Sequence, residues 1–166
     1  PWFFGPLAVP DTLDGRFDVV GLHVALLIRR LRQDADKRGP AIAQAVFDAM
    51  FADMDINLRE MGVSDLRVGK RMRQMWEAFH GRCLAYEAAL DAGDQAALAT
   101  ALDRNVWRAE HEASPPPAAA LALAGHMAAI AAGLAGQPFA ALARGQVQFP
   151  ATPAPTPSAS EAIHAA

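Results

Sequence analysis

The chain of 166 residues has one cysteine, Cys83, and a lone thiol closes no internal disulfide. That excludes a disulfide-stapled extracellular module and suits a reducing compartment, with the cytoplasm the simple inference. No Gly-x-Ser-x-Gly elbow, phosphate-binding loop, dinucleotide fingerprint or zinc spacing occurs, so no catalytic residue, metal ligand or cofactor is expected and the chain does not read as an enzyme. Haem ligation by His23, His80, His111 or His126 lacks a Cys-x-x-Cys-His motif. An excess of positive charge is missing too: the net charge is -3 and the pI about 5.9, which argues against nucleic-acid binding by the chain as a whole. The only candidate for a membrane span is Ala118–Ala135, eighteen residues without a charge. It is mostly alanine and contains Gly125, His126 and Gly133, whereas a membrane span takes about twenty strongly apolar residues. Trp2-Phe3-Phe4-Gly5-Pro6 lacks the cationic start and long apolar run of a secretory signal.

What the chain does have is helical periodicity, with a hydrophobic content of 52% that supports a real core. No alternating strand pattern competes with it. The expected fold is all-α, a single-domain bundle of four to five helices. Phe17, Val20, Val24, Leu27 and Leu31 form one stripe on a first helix reaching about residue 37, with Asp11, Thr12 and Asp14 available as caps. Gly39 is expected to end it and Pro40 to open a second helix over about 40–61. Gly62 breaks that helix and Ser64 caps a third, to about residue 90, whose seam is Val68, Met72, Met75, Phe79, Cys83, Tyr86 and Leu90. Asp94 caps a fourth, to about 112. Pro115, Pro116 and Pro117 then mark a boundary. The expected division is 1–114 as the helical domain, 115–149 as an Ala-rich helical extension, and 150–166 as a disordered Pro/Ala-rich tail.

Four groups of residues invite a functional reading. Arg67, Lys70, Arg71 and Arg73 place four cations within seven residues at a helix start, where the dipole disfavours them; docking on ribosomal RNA, an acidic client loop or anionic headgroups explains the choice, and so does neutralisation by Glu60, Asp65 and Glu77. Asp48, Asp53, Asp55 and Glu60 read as a solvated or ion-paired face rather than as metal ligands. Met50, Met54, Met61, Met72 and Met75 suit either a core or an adaptable groove. His23 and Arg30 share a face of the first helix and form, with Asp53, a candidate buried polar network; a hydrogen-bonded core histidine and a snorkelling arginine is the plainer alternative.

The segment DMDINLREMGVSDLRVGKRM at 53–72 closely resembles the ubiquinol–cytochrome c reductase assembly chaperones. The resemblance covers about 10–91, opening with FDVVGLHVALLIRRL at 17–31 and continuing through Phe79, Gly81 and Tyr86. Ser64, Gly69 and His80 depart from the family pattern. The resemblance implies an α-helical protein that binds newly made cytochrome b during assembly of the cytochrome bc1 complex, without turnover. In mitochondria the family works with a partner chaperone and the ribosome tunnel exit. The expected place is the cytoplasmic face of a bacterial inner membrane, or the mitochondrial matrix side, peripheral to the membrane at most. The expected client or partner edge is Arg59, Met61, Gly62, Arg67, Lys70, Arg71 and Arg73. The rival readings are a ribosome- or RNA-associated factor using the patch at 67–73, a small metal-dependent helical enzyme, and a structural subunit of a larger complex.

Overall fold

A computed structural model describes residues 2–108 and 117–153. Among these, six helices follow in order: α1 (Leu13–Arg32), α2 (Gly39–Glu60), α3 (Asp65–Ala92), α4 (Gln95–Val106), α5 (Ala118–Ala135) and the single turn α6 (Phe139–Leu142). The described residues contain no strand, and the all-α expectation holds. Of the tail expected from about 150, the part at 154–166 lies outside the described residues, as does 109–116 with the first two prolines of the expected boundary, and α4 ends at Val106, earlier than the expected 112.

α1 is central and packs against α2, α3 and α5. The Thr12 side chain accepts the Gly15 N–H at 3.1 Å, Asp14 lies in the first turn, and Arg29, Arg30 and Arg32 lie in the last. Charge of each sign therefore meets the helix end that favours it. The helix buries Phe17, Leu22, Leu26 and Leu31. It ends at Arg32, earlier than expected. Asp34 accepts the backbone N–H of Asp36 and Asp36 that of Arg38, both at 2.9 Å, and such local side-chain bonds compete with helix continuation. Gly39 is not the stop. It is the first residue of α2, where an added Cβ would lie 2.2 Å from the Leu31 carbonyl oxygen, so it permits close approach of the two helices.

α5 settles what the alanine-rich stretch does. Ala120, Leu123, Ala124, Met127, Ile130 and Leu134 are almost fully buried at spacings of three and four, making one stripe against α1 and α4. Its opposite face is Ala122, Ala128, Ala129 and Ala132. Alanine is the best helix former and leaves nothing bulky in water. The run ends at Ala135, where Pro138 cannot extend the helix, short of the expected extension to 149. Arg30 reaches across from α1 to the end of α5 and the turn after it, donating to Leu134 O at 3.0 Å and to Gln137 O at 3.1 Å. Two arms flank the bundle. Trp2, Leu7 and Val9 are buried, with the Trp107 indole N–H donating to Leu7 O at 3.0 Å. The second arm is held by Gln137, which donates to Gln148 O at 2.7 Å and accepts from Gln148 N at 2.9 Å.

Candidate functional site

The junction between α2 and α3 is rigidly built. Gly62 adopts φ 81°, a left-handed value that costs other residues about 1–2 kcal/mol. Its N–H donates to Arg59 O at 2.9 Å while the Val63 N–H donates to Leu58 O at 3.0 Å, the paired bonds of a Schellman stop. Leu58 is buried beneath the turn and Val63 packs on the core. Arg59 binds Asp55 at 2.6 Å and also Asp65 across the turn, so one guanidinium links the two helices. The turn presents apolar side chains outward: Leu66 is 95% exposed and Met61 60%.

The four expected cations divide. Arg71 turns toward α1 and pairs with Asp14, lining a polar cleft with Asp18, Gln74, Arg82 and Arg108. Arg67, Lys70 and Arg73 are exposed, and none has an ion pair among the described residues. The expected polar network does not form: no hydrogen bond among the described residues joins His23, Arg30 and Asp53. His23 Nδ1 lies 2.8 Å from Val19 O, Arg30 holds Asp34 at 2.6 Å besides the end of α5, and the Asp53 carboxylate accepts from Asn57 at 3.0 Å. The physical reason is direction. Arg30 faces α5, whose unsatisfied carbonyls attract it, while Asp53 lies on the exposed side of α2.

Most of the methionine and aromatic stripe is interior. Met50, Met75 and Phe79 are buried, and Phe47 stacks on Phe51 with centroids 4.6 Å apart, Phe51 in turn meeting Phe17 edge-on at 6.3 Å. Met61 and Trp76 point out. Cys83 also lines this interior: burial, with Glu87 adding, pushes its thiol up to about 12, so it stays protonated and unreactive. Burial likewise raises Tyr86 to about 12. Among the described residues, no three His, Cys, Asp or Glu side chains come together as a metal-binding group.

Two features escape sequence reasoning. Asp18 is buried with Arg82 and lies 2.8 Å from Arg108, joining α1, α3 and the exit from α4. The signal for it is an acid three and four residues before Gly21 and Leu22, on the buried side of α1. Leu66, Trp76 and Leu84 all stand on the outward face of α3. The signal there is that Leu66 and Leu84 fall off the seam, eighteen residues and thus five turns apart.

A family model described as ubiquinol-cytochrome C chaperone matches residues 6–149. Ubiquinol-cytochrome-c reductase complex assembly factor 1 of Xenopus laevis is 30% identical over 104 residues, covering 63% of this chain and 51% of that protein. The mitochondrial protein CBP3 of Saccharomyces cerevisiae is 30% identical over 108 residues, 64% of this chain and 32% of that one. The chain thus spans about half or less of the length of these curated relatives. The crystal structure of the Cbp3 homolog from Brucella abortus superposes with a TM-score of 0.77 at 35% identity, covering 91% of this chain and 81% of that chain.

Proposed function

The chain belongs to the ubiquinol-cytochrome c chaperone family, and on that premise we propose that it is an assembly factor of the cytochrome bc1 complex that binds newly made cytochrome b and performs no turnover. The observation that supports this reading is the α2–α3 junction. A turn held by a Schellman stop and by Arg59 presents Met61 and Leu66 to solvent, beside Arg67, Lys70 and Arg73, which make no ion pair among the described residues. An edge of this kind binds with little backbone ordering cost on its own side. The apolar residues cover lipid-facing client segments before the client finds its subunits, and the cations meet acidic loops or headgroups, setting orientation and on-rate. The work is done on the cytoplasmic face of a bacterial inner membrane, or on the matrix side of a mitochondrial one.

The same exposed cations favour a second reading, contact with ribosomal RNA. Pull-down of the tagged chain from detergent-solubilised host membranes separates the two. Cytochrome b recovered without the assembled complex supports the chaperone. Ribosomal proteins recovered without cytochrome b overturn it. Charge reversal at Arg67 and Lys70 lowers capture several-fold at an unchanged melting temperature, because neither residue supports the fold. Arg71 is left out of that variant, since it holds Asp14 and its reversal costs stability.

A further inference from the structure

We propose that the outward face of α3 is a docking surface for an anionic lipid bilayer, with Leu66, Trp76 and Leu84 as apolar anchors and Lys70, Arg73 and Arg67 as headgroup contacts. The inference deepens the reading of the chain as an assembly factor and rests on it for the membrane location of the client. It starts from a single line of residues. Positions 66, 70, 73, 77, 80, 84 and 88 repeat at spacings of four and three, and every one of them is exposed. On this line and its margin stand Leu66 at 95% exposure, Leu84 at 58% and Trp76 at 45%. None serves the interior, because α3 already buries Val68, Met75, Phe79 and Tyr86 on its other side. A monomer gains nothing from three large apolar side chains in water along one helix face.

The geometry suits a flat interface rather than a pocket. The two leucines are about 27 Å apart along the axis, with cations between them. Trp76 lies flat on His80, centroids 5.4 Å apart with 2° between planes, a rigid amphipathic plate of the kind that settles at headgroup level. Gly69 and Gly81 leave open space where a side chain would stand off the surface. Charge selects an anionic partner: Lys70, Arg73 and the adjacent Arg67 carry no ion pair among the described residues, and Glu77 is the acid on the same line. RNA would use those cations but has no use for two exposed leucines. A helix with leucine and tryptophan anchors and flanking Lys and Arg is the form that lies in a bilayer interface.

The test is co-sedimentation of the full chain with phosphatidylcholine vesicles, plain or containing about one-third phosphatidylglycerol. The chain is expected to sediment with the anionic vesicles and not with the neutral ones. Replacing Lys70 and Arg73 by glutamine lowers partitioning on the order of twenty-fold, about fivefold for each charge removed. The combined variant Leu66→Ser, Trp76→Ser, Leu84→Ser abolishes it while staying folded by circular dichroism, and the glutamine variant keeps the parent melting temperature. Equal binding to neutral vesicles, no binding to anionic ones, or full binding by the serine variant overturns the proposal. An RNA oligomer bound where vesicles are not transfers the face to the RNA reading. If vesicle binding is absent while cytochrome b is still captured, the docking surface falls and the chaperone stands. Vesicle binding without capture of cytochrome b leaves the docking surface standing and removes the chaperone.

Discussion

α5 and α3 are built on opposite plans. α5 has no charged residue over Ala118–Ala135, yet its large side chains all face inward and its outer face is alanine. α3 is rich in charge, yet it holds Leu66, Trp76 and Leu84 in solvent. Average hydropathy would name α5 as the sticky helix, yet the large exposed apolar side chains stand on α3. What decides whether a helix seeks a partner is the size of the apolar side chains on the face left uncovered. α5 is therefore a stability element, whereas α3 carries stability on one side and, on the proposal above, recognition on the other.

The sharpest way to break this contrast is at the inner stripe of α5. Met127→Ala and Ile130→Ala should each cost about 2–5 kcal/mol, the range for opening a cavity at a buried position. Ala129→Ser on the outer face should stay within about 0.5 kcal/mol. Urea unfolding of the three variants reads both, and a cost below about 1 kcal/mol for Met127→Ala would mean that α5 does not close the core. Next in size is Asp18→Asn, expected to cost about 2 kcal/mol because the Arg82 guanidinium keeps its burial and loses its carboxylate. Pairing Asp18→Asn with Arg82→Met should recover part of that loss, which a double-mutant cycle measures. Full additivity of the two would show that the ion pair is incidental.

These two sites also show where sequence reasoning reaches its limit. The helices and the Gly62 junction are legible because a period of 3.6 and a glycine stop are local properties. The family resemblance adds the function, which periodicity does not contain. Asp18 escapes because its partner Arg82 is 64 residues away, and nothing local announces that pairing. The cation run is legible as a run, but its division is not: only the position of α1 turns Arg71 toward Asp14 and leaves Lys70 outside. Periodicity places the end of α1 too late because the Asp34 and Asp36 turns compete with the helix through side-chain geometry that it ignores. Leu66 and Leu84 escape because leucine on a helix is by default assigned to the core. The alanine run leaves its role open, since composition alone does not say which side is buried.

His126 is the polar exception on the buried stripe of α5, and it gives the comparison a pH dependence. Its ring lies 5.1 Å from Trp2 and 6.4 Å from His23 by centroid. Burial, followed by the neighbouring His23, lowers its pKa below the ordinary 6.5. The folded state therefore binds this proton less readily than the unfolded state. The contribution is fully present above about pH 6.5 and declines as the pH falls toward the folded value, with a slope no steeper than about 1.4 kcal/mol per pH unit. Melting temperatures of the parent and His126→Gln between about pH 7 and pH 5 test this, the variant having the flatter profile. Parallel profiles would assign the dependence elsewhere.

The smallest expected effect is the most telling. Leu66→Ser and Leu84→Ser should each change stability by less than about 1 kcal/mol, the first by less than the second, because the side chains are 95% and 58% exposed. The same chemical change on α5, Leu123→Ser, should be severe, since it places a hydroxyl in a site that is 1% exposed. Chemical denaturation of the three variants measures the contrast directly. A loss above about 1 kcal/mol at Leu84 would show that α3's outer face is covered in solution, by a second copy or another part of the chain. The face would then be an internal contact. A null result on stability, beside a loss in vesicle binding, makes those leucines residues kept for a partner: their exposure has no return within the folded chain, so their value lies in what they touch outside it.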